Sequence, residues 1–592
     1  MTSVASLMMA PYGVALAQQA APASPVAPQV ETSTLDEVLV TAERQTRNLQ
    51  TTPVAVTAVS GEQLAARGVQ SIYGLQNLVP SLSIGQQTNG GGAGAAVFFL
   101  RGLGQARSGN GSEPAVALYL DDFYYPAGSA NILKALDLEQ VEVLRGPQGT
   151  LFGRNTIGGA IRYQTKKPSD QLGGFLEGTV GSYDRADING AINLPLGDTL
   201  AVRLSAASLQ TDGFQRRQTS PGRNGATQDR LGRIQLRYKP TADLMVDLSY
   251  EQAETEVAGS TVYVSTISAT SPLAAIYNAR NPGPDYDQSF ASTCIQCAYG
   301  SLPIENSANA ISRNWHGVID YQATDWLRLK SLTGYNLTKD DFFNDIDASP
   351  LLIANQYGST RVEAFSQELQ ALGDLGSRTH FVFGLYYYDE KLEQVSGQTL
   401  VTGVTIVNQD RTREALSAYG NITYELTDQL SVTGGLRVGH EDIKVSAVSS
   451  RGTSGSGDLG SDLTLPMVRV QYQWTPDVMS YISATRGFRG GGFTVAPNPS
   501  LPNAGVIAFD PEMVWSYEFG TRAEAFDGRL RLNPTVFYTD YSDIQIQRIT
   551  GTTPVLENAG EAHVYGVELE TMFAVTSKLR LTGTGSYLKA AY

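Results

Sequence analysis

Leu416-Ser417-Ala418-Tyr419-Gly420-Asn421-Ile422-Thr423-Tyr424-Glu425-Leu426 and, after Thr427-Asp428-Gln429, Leu430-Ser431-Val432-Thr433-Gly434-Gly435-Leu436-Arg437-Val438-Gly439 decide the fold of this chain. Even positions carry Leu, Ala, Gly, Ile, Tyr and Val, while Ser417, Asn421, Thr423, Glu425, Ser431, Thr433 and Arg437 stand at odd ones. Successive side chains of a strand point to opposite faces, so a period of two sorts these residues onto one apolar and one polar face. The same alternation runs through residues 200–206, 244–250 and 579–587.

A soluble sandwich would alternate too, with its inner faces apolar. Segment length and loop distribution separate the two. The segments run about ten residues, the length of a tilted membrane-spanning strand. Short connections (240–243, 322–325, 427–429, 475–476, 575–577) alternate with long polar ones (211–228, 254–312, 339–360, 392–412, 441–462, 489–512). Short turns on one side and long loops on the other mark an outer-membrane barrel. Residues 171–592 hold about seventeen such strands, and an odd number leaves an unpaired edge that lipid cannot satisfy. The expectation is a transmembrane antiparallel β-barrel of roughly 22 strands in full, with its C-terminal strands missing here.

Composition agrees: 60 Gly, 29 Tyr and only 17% charged residues fit many short strands with surface aromatics. No run reaches the roughly 18–20 apolar residues of a spanning helix. A net charge of −15 argues against a nucleic-acid partner, because phosphate binding needs a basic face. At the N-terminus, the small apolar run 6–16 ending in Ala15-Leu16-Ala17 fits the end of a secretory signal over residues 1–17. Residues 18–34 read as an Ala/Pro-rich linker, and 35–42 as a short β-prone segment. From 50 to 170 a mixed pattern predicts a compact α+β domain: a strand over 54–59, a helical stretch over 61–78, then strands over 97–101, 115–120 and 141–144. Cys294 and Cys297 are the only cysteines, a C-x-x-C pair in a long polar segment of an exported chain, and the expectation is a local loop disulfide.

Within this domain, Leu100-Arg101-Gly102-Leu103-Gly104, Val116 to Asp122, and Val141-Glu142-Val143-Leu144-Arg145-Gly146-Pro147-Gln148-Gly149-Thr150-Leu151-Phe152-Gly153-Arg154-Asn155-Thr156-Ile157-Gly158-Gly159-Ala160-Ile161 closely resemble the plug signatures of TonB-dependent receptors. In the barrel, Phe365-Ser366-Gln367-Glu368-Leu369, Gly435-Leu436-Arg437, Arg486 to Phe493, Tyr517-Glu518-Phe519-Gly520 and Asn558 to Glu568 are similar to the family's iron-complex receptors. The resemblance spans nearly everything after residue 35. It implies an α+β plug inside the lumen and TonB-dependent import of a scarce nutrient, with a ferric siderophore the leading substrate. Oligosaccharide, cobalamin and haem are alternatives. It implies no enzyme activity and no resident cofactor. The partners it implies are TonB with the inner-membrane ExbB/ExbD complex, outer-membrane lipid and lipopolysaccharide, and a small metal chelate.

Leu35, Asp36, Glu37, Val38, Leu39, Val40 and Thr41 stand where that family keeps its TonB box. An exposed, extended peptide on a flexible linker can add as a strand to a partner's sheet. Arg101 and Arg145 belong to the plug, whereas Glu368 and Glu518 fall on the polar face of barrel segments. The expectation is that these arginines pair with Glu368 and Glu518 and seat the plug with bidentate geometry.

Other chemistry finds little support. The run 146–155 lacks the Gly-Lys-Ser/Thr ending of a phosphate-binding loop. His316, His380, His440 and His563 are scattered without metal-ligand spacing. A passive porin or adhesin needs no N-terminal plug carrying an extended segment. A signalling transducer needs a folded domain ahead of residue 35, and 18–34 is too short for one.

Overall fold

A bilayer core offers no hydrogen-bond partners, so a chain crossing it as strands must pair its backbone laterally. The computed structural model describes residues 4–6, 34–69, 71–86, 96–105, 113–126, 136–217, 222–258, 266, 268, 270, 272–280, 297–298, 307–346, 354–400, 403–496, 498–550 and 553–591. Seventeen strands, from Gly173–Gly181 to Leu579–Ala591, each pair antiparallel with the neighbour in one sheet, and the three-residue strand Val4–Ser6 brings its membership to eighteen. Val4–Ser6 lies on the outer edge of Gly173–Gly181, Val4 opposite Thr179. Of the expected signal and linker, residues 1–3 and 7–33 fall outside the described residues, as does Cys294. Of Cys297 only the backbone is described, in strand Cys297–Ala298 beside Arg216–Arg217.

The wall has the two faces the alternation predicts. Leu416, Ile422, Tyr424, Leu436 and Val438 are exposed on its outside, while Tyr419, Asn421, Thr433 and Arg437 are buried inside. Outward pairs such as Leu369 opposite Leu385 build the apolar band that lipid covers.

Two of the expected long loops are strand instead. Thr379–Leu400 and Gly403–Glu425 run 22 and 23 residues, and Leu430–Ser449 continues into Ser454–Thr475 after a short turn. At about 3.3 Å per residue such strands span roughly 70 Å, far more than an apolar band about 25 Å tall. The segments 392–412 and 441–462 are polar because they stand in water above the membrane. Their backbones remain paired.

The plug carries a five-stranded sheet in the order Val56–Ser60, Leu138–Arg145, Gly159–Thr165, Val116–Leu120 and Phe123–Tyr125. Leu138–Arg145 is antiparallel to both neighbours, and Gly159–Thr165 is parallel to Val116–Leu120. Leu64, Ile72, Leu75, Leu118, Val141, Val143 and Ile161 are buried in its core. The helical stretch predicted over 61–78 is broken in two. Helix Gly61–Ala66 begins on a capping box between Ser60 and Gln63 and stops where Gly68 adopts φ +65°, and a 3-10 helix, Ile72–Asn77, follows.

On the outer face, Leu385→Arg is expected to cost about 2–4 kcal/mol of folding free energy in lipid vesicles. Val395→Arg, ten residues further along the same strand, should change it by less than about 0.5 kcal/mol because that part is already in water. Urea titration of the vesicle-folded protein measures both.

Candidate functional site

A plug inside a water-lined wall cannot rely on apolar burial alone, because the wall presents its polar face to it. Beside apolar clusters that join Leu103 and Ile157 of the plug to Val514, Phe537 and Val564 of the wall, the seam carries guanidinium and carboxylate groups. At its centre, Arg101 Nη1 lies 2.7 Å from Glu518 Oε2 and its Nη2 2.8 Å from Glu568 Oε2. Arg145 reaches the same Glu568 oxygen at 3.0 Å and Glu570 at 2.6 Å. The Arg101 guanidinium also lies over the Phe537 ring, 4.2 Å from its centroid, and Tyr481 Oη donates to Glu518 at 2.5 Å. Each of these groups leaves water, so each needs a partner of opposite sign and good geometry.

Local backbone sets up the approach. Arg101 follows strand Ala96–Leu100 in a turn at φ +54°, and its side chain lies against the wall. Gly146, at φ +80°, follows Arg145, and a Cβ there would stand 2.7 Å from Arg101 Nη1. The glycine admits the neighbouring guanidinium.

Of the four residues singled out in the sequence, the structure brings Arg101 to Glu518, while Arg145 lies against Glu568 and Glu570 and Glu368 stands apart from both arginines. Glu368 is buried on the inner face, but its partners are Arg44 Nη2 at 3.4 Å, Gln370 and Tyr419. Counting faces along a strand shows which residues point inward and not where around the wall the strand stands. Glu568 and Glu570 were missed as partners, although Val567 and Leu569 are exposed on either side of Glu568, the pattern that marks Glu518 between Tyr517 and Phe519.

Above this seam lies a second cluster. Arg413 Nη1 is 2.7 Å from Glu113 and 3.2 Å from Glu390, and Arg154 Nη2 is 3.4 Å from Glu113 and 3.3 Å from Glu441. Asn155 donates to Glu113 at 2.7 Å. Burial pushes the Glu113 carboxyl up, but Arg413, Arg154 and Arg411 outweigh it and hold the group well below the usual carboxylate range. Asp122 is held low in the same way against its burial, by Arg162 and Arg44.

The segment Leu35 to Thr41 is not the free, extended peptide the sequence suggested. Leu35 N–H donates to Gly528 O at 3.0 Å, and Asp36 pairs with Arg580 at 3.2 Å. Leu39–Val40 forms a short ladder with Arg47–Asn48, and Val40 is wholly buried. Glu37 accepts from Asn48, Val38 O accepts from Leu49 N–H, and Leu39 remains 48% exposed. Thr41 N–H donates to Glu142 Oε1 at 2.8 Å, and Glu142 is gripped from its other side by Arg162. A β-prone peptide with no other partner satisfies its backbone on the nearest groups.

None of the four histidines joins a metal cluster among the described residues. His316 stacks on plug Phe123 at 4.0 Å, while His380, His440 and His563 sit beside Asp374, Asp462 and Asp540.

A lipid-exposed wall with an ion-paired plug in its lumen defines a plugged outer-membrane transporter. The chain belongs to the TonB-dependent receptor family. Residues 268–592 match its TonB dependent receptor-like β-barrel and residues 48–160 its TonB-dependent receptor plug domain, and the protein resides in the outer membrane. The pesticin receptor of Yersinia pestis is 29% identical over 92% of this chain and 77% of its own length. The catecholate siderophore receptor Fiu of Escherichia coli is 22% identical over 84% and 71%. Among solved structures, the ferric yersiniabactin uptake receptor FyuA of Yersinia pestis superposes with a TM-score of 0.77 at 24% identity, covering 91% of this chain and 79% of that one.

Glu568→Ala leaves two buried guanidinium groups without their shared carboxylate and is expected to weaken plug seating by about 3–5 kcal/mol. Raised leak conductance in planar bilayers measures it, and wild-type conductance would rule out a seating role. The depressed carboxyl group of Glu113, paired with Arg413 of the wall, stabilises the seat fully above its ordinary value of 4.5, and that contribution is lost as pH falls below it toward the folded value. Conductance is therefore expected to stay flat from neutral pH to about pH 5 and to rise only in stronger acid.

Proposed function

We propose that this receptor imports a ferric siderophore complex, with TonB engaging Leu35 to Thr41 and the ExbB/ExbD complex of the inner membrane supplying the energy. The observation that carries the energised reading is the bond from Thr41 to Glu142: the segment ends directly on a strand of the plug sheet. The outer membrane holds no nucleotide, so work done on the plug has to arrive from the periplasmic side through the chain itself.

Undocking the segment gives up a two-residue ladder, a handful of hydrogen bonds contributing about 1 kcal/mol net each, and the burial of Val40 and Leu35 at about 1.5–3 kcal/mol apiece. Pairing with a partner's sheet edge offsets part of that loss with new main-chain bonds. Load on Thr41 then falls on Glu142, whose partner Arg162 also holds Asp122, itself beside Arg44. The ion pairs of Arg101 and Arg145 with Glu518, Glu568 and Glu570 hold the rest of the plug against the wall meanwhile.

The substrate class rests on similarity to the receptors for catecholate siderophores, for ferric yersiniabactin and, at 24% identity, for metal-pseudopaline in Pseudomonas aeruginosa. An oligosaccharide, cobalamin or haem remains the second reading, carried by family membership alone. Outer-membrane lipid and lipopolysaccharide surround the apolar band and the strands above it.

Leu39→Pro removes a backbone donor from the segment while its side chain is half exposed, so barrel insertion and surface binding are expected to persist. Accumulation of radiolabelled ferric yersiniabactin or a ferric catecholate should fall to background in iron-starved cells. Wild-type accumulation in that variant would reject the role of the segment, and failure of both probes to accumulate in wild-type cells would reject the substrate class.

A further inference from the structure

Strand Ser454–Thr475 has a neighbour on both sides only along its lower part. Leu430–Ser449 follows it from Tyr472 up to Ser454, whereas Val478–Arg489 pairs with it only from Met467 down. Above Met467 the two strands part. Arg486 to Arg489 continue beside Glu512–Ala525, and Ser454–Thr475 rises into the water with one edge uncovered.

The ladder decides which groups that edge presents. In an antiparallel pair, successive residues turn their N–H and C=O to alternate sides. From the uncovered side, the side chains of Asn503 and Arg486 donate to the carbonyls of Ser456 and, at 3.4 Å, of Thr464. These two residues are an even number apart, so Asp458, Gly460 and Asp462 between them turn the same way. Among the described residues no strand lies beside them there. Their side-chain positions are exposed on the outer face, while Leu463 points inward and packs with Leu465 and Phe488.

Free edges of this length are usually blunted by lysine, proline or a bulge. Between Ser454 and Leu465 there is no lysine, arginine or proline, and the register with Leu430–Ser449 runs without a shift. The stretch carries two acids, Asp458 and Asp462, and no cation. Charge therefore selects what can pair with it. A second copy in the same membrane runs its strand in the same direction and, in register, sets each acid beside its own kind, which is unfavourable.

We infer that the edge from Asp458 to Thr464 is a docking site for an extended, basic segment of another polypeptide at the cell surface, added to the wall as a further strand. Such docking is separate from import and uses none of the plug contacts. At about 3.3 Å per residue the stretch is roughly 20 Å long, which suits a strand of ordinary length. Main-chain bonds to Asp458, Gly460 and Asp462 hold the segment. Lysine or arginine side chains four residues apart on it meet the two acids across the new pair. Its inward side chains must be small, because the space behind the edge is filled: a Cβ on Gly491 would stand 3.0 Å from Leu459 Cδ2.

A short synthetic peptide with two lysines four residues apart and alanines between them serves as the probe, added to the receptor folded in detergent micelles. It is expected to slow amide hydrogen exchange at 458, 460 and 462 and to leave 459, 461 and 463 as they were. The same peptide with glutamates for lysines is expected to bind at least about tenfold more weakly, and the double variant Asp458→Lys, Asp462→Lys to reverse that order. Gly460→Pro removes an outward N–H and is expected to weaken the lysine peptide about tenfold or more. Should that variant fail to fold, the double variant decides, since both of its positions are exposed. Absence of protection by the lysine peptide, equal affinity for the two peptides, or affinities unchanged in the double variant overturns the site. Slow exchange at 460 in the peptide-free receptor also overturns it, because the edge would then be covered already.

Discussion

Lipid cannot hydrogen-bond a peptide group, and the rest of this molecule follows from that limit. It forces the crossing chain into laterally paired strands, and strands present their side chains to two sides. One side is made apolar by the membrane. The other becomes a largely polar inner wall, and the plug binds to it through charge and hydrogen bonds as well as through apolar clusters such as Leu103 and Ile157 with Phe537 and Val564. The buried arginines of the plug and the glutamates on the inner faces of Glu512–Ala525 and Glu561–Thr576 are the outcome.

An ionic seam has a property that an apolar one lacks. The desolvation cost of a buried ion pair nearly cancels its attraction, so such pairs fix position more than they add net stability. Separating them into a wet lumen returns much of that desolvation cost. A plug held this way is located with precision and still open to displacement, whereas an apolar interface of the same extent would expose its whole area to water on parting.

Much of this was legible in the sequence, and what was not has physical reasons. The two-residue period at 416–439 gives the wall and its inward residues, and Glu518 between Tyr517 and Phe519 is recognisable from neighbours alone. The same rule applied at Val567 and Leu569 would have found Glu568. Position around the circumference is a property of the whole sheet, and so Arg44 as the partner of Glu368 lay beyond a strand-by-strand reading. The long strands above the membrane read as loops because water permits polar residues on both faces, which erases the apolar signal while leaving the ladder. The docking of Leu35 to Thr41 was hidden for a related reason: a short β-prone peptide carries no mark of whether its partner is another protein or its own Arg47–Asn48.

Glu568 touches both Arg101 and Arg145, and one of its oxygens is common to the two pairs. A single anion between two cations screens their mutual repulsion, so the three groups form one unit whose members do not come apart independently. Drawing either arginine away leaves the other with an altered counter-charge. The three groups therefore act as one electrostatic unit, in which displacing any member changes the field felt by the other two.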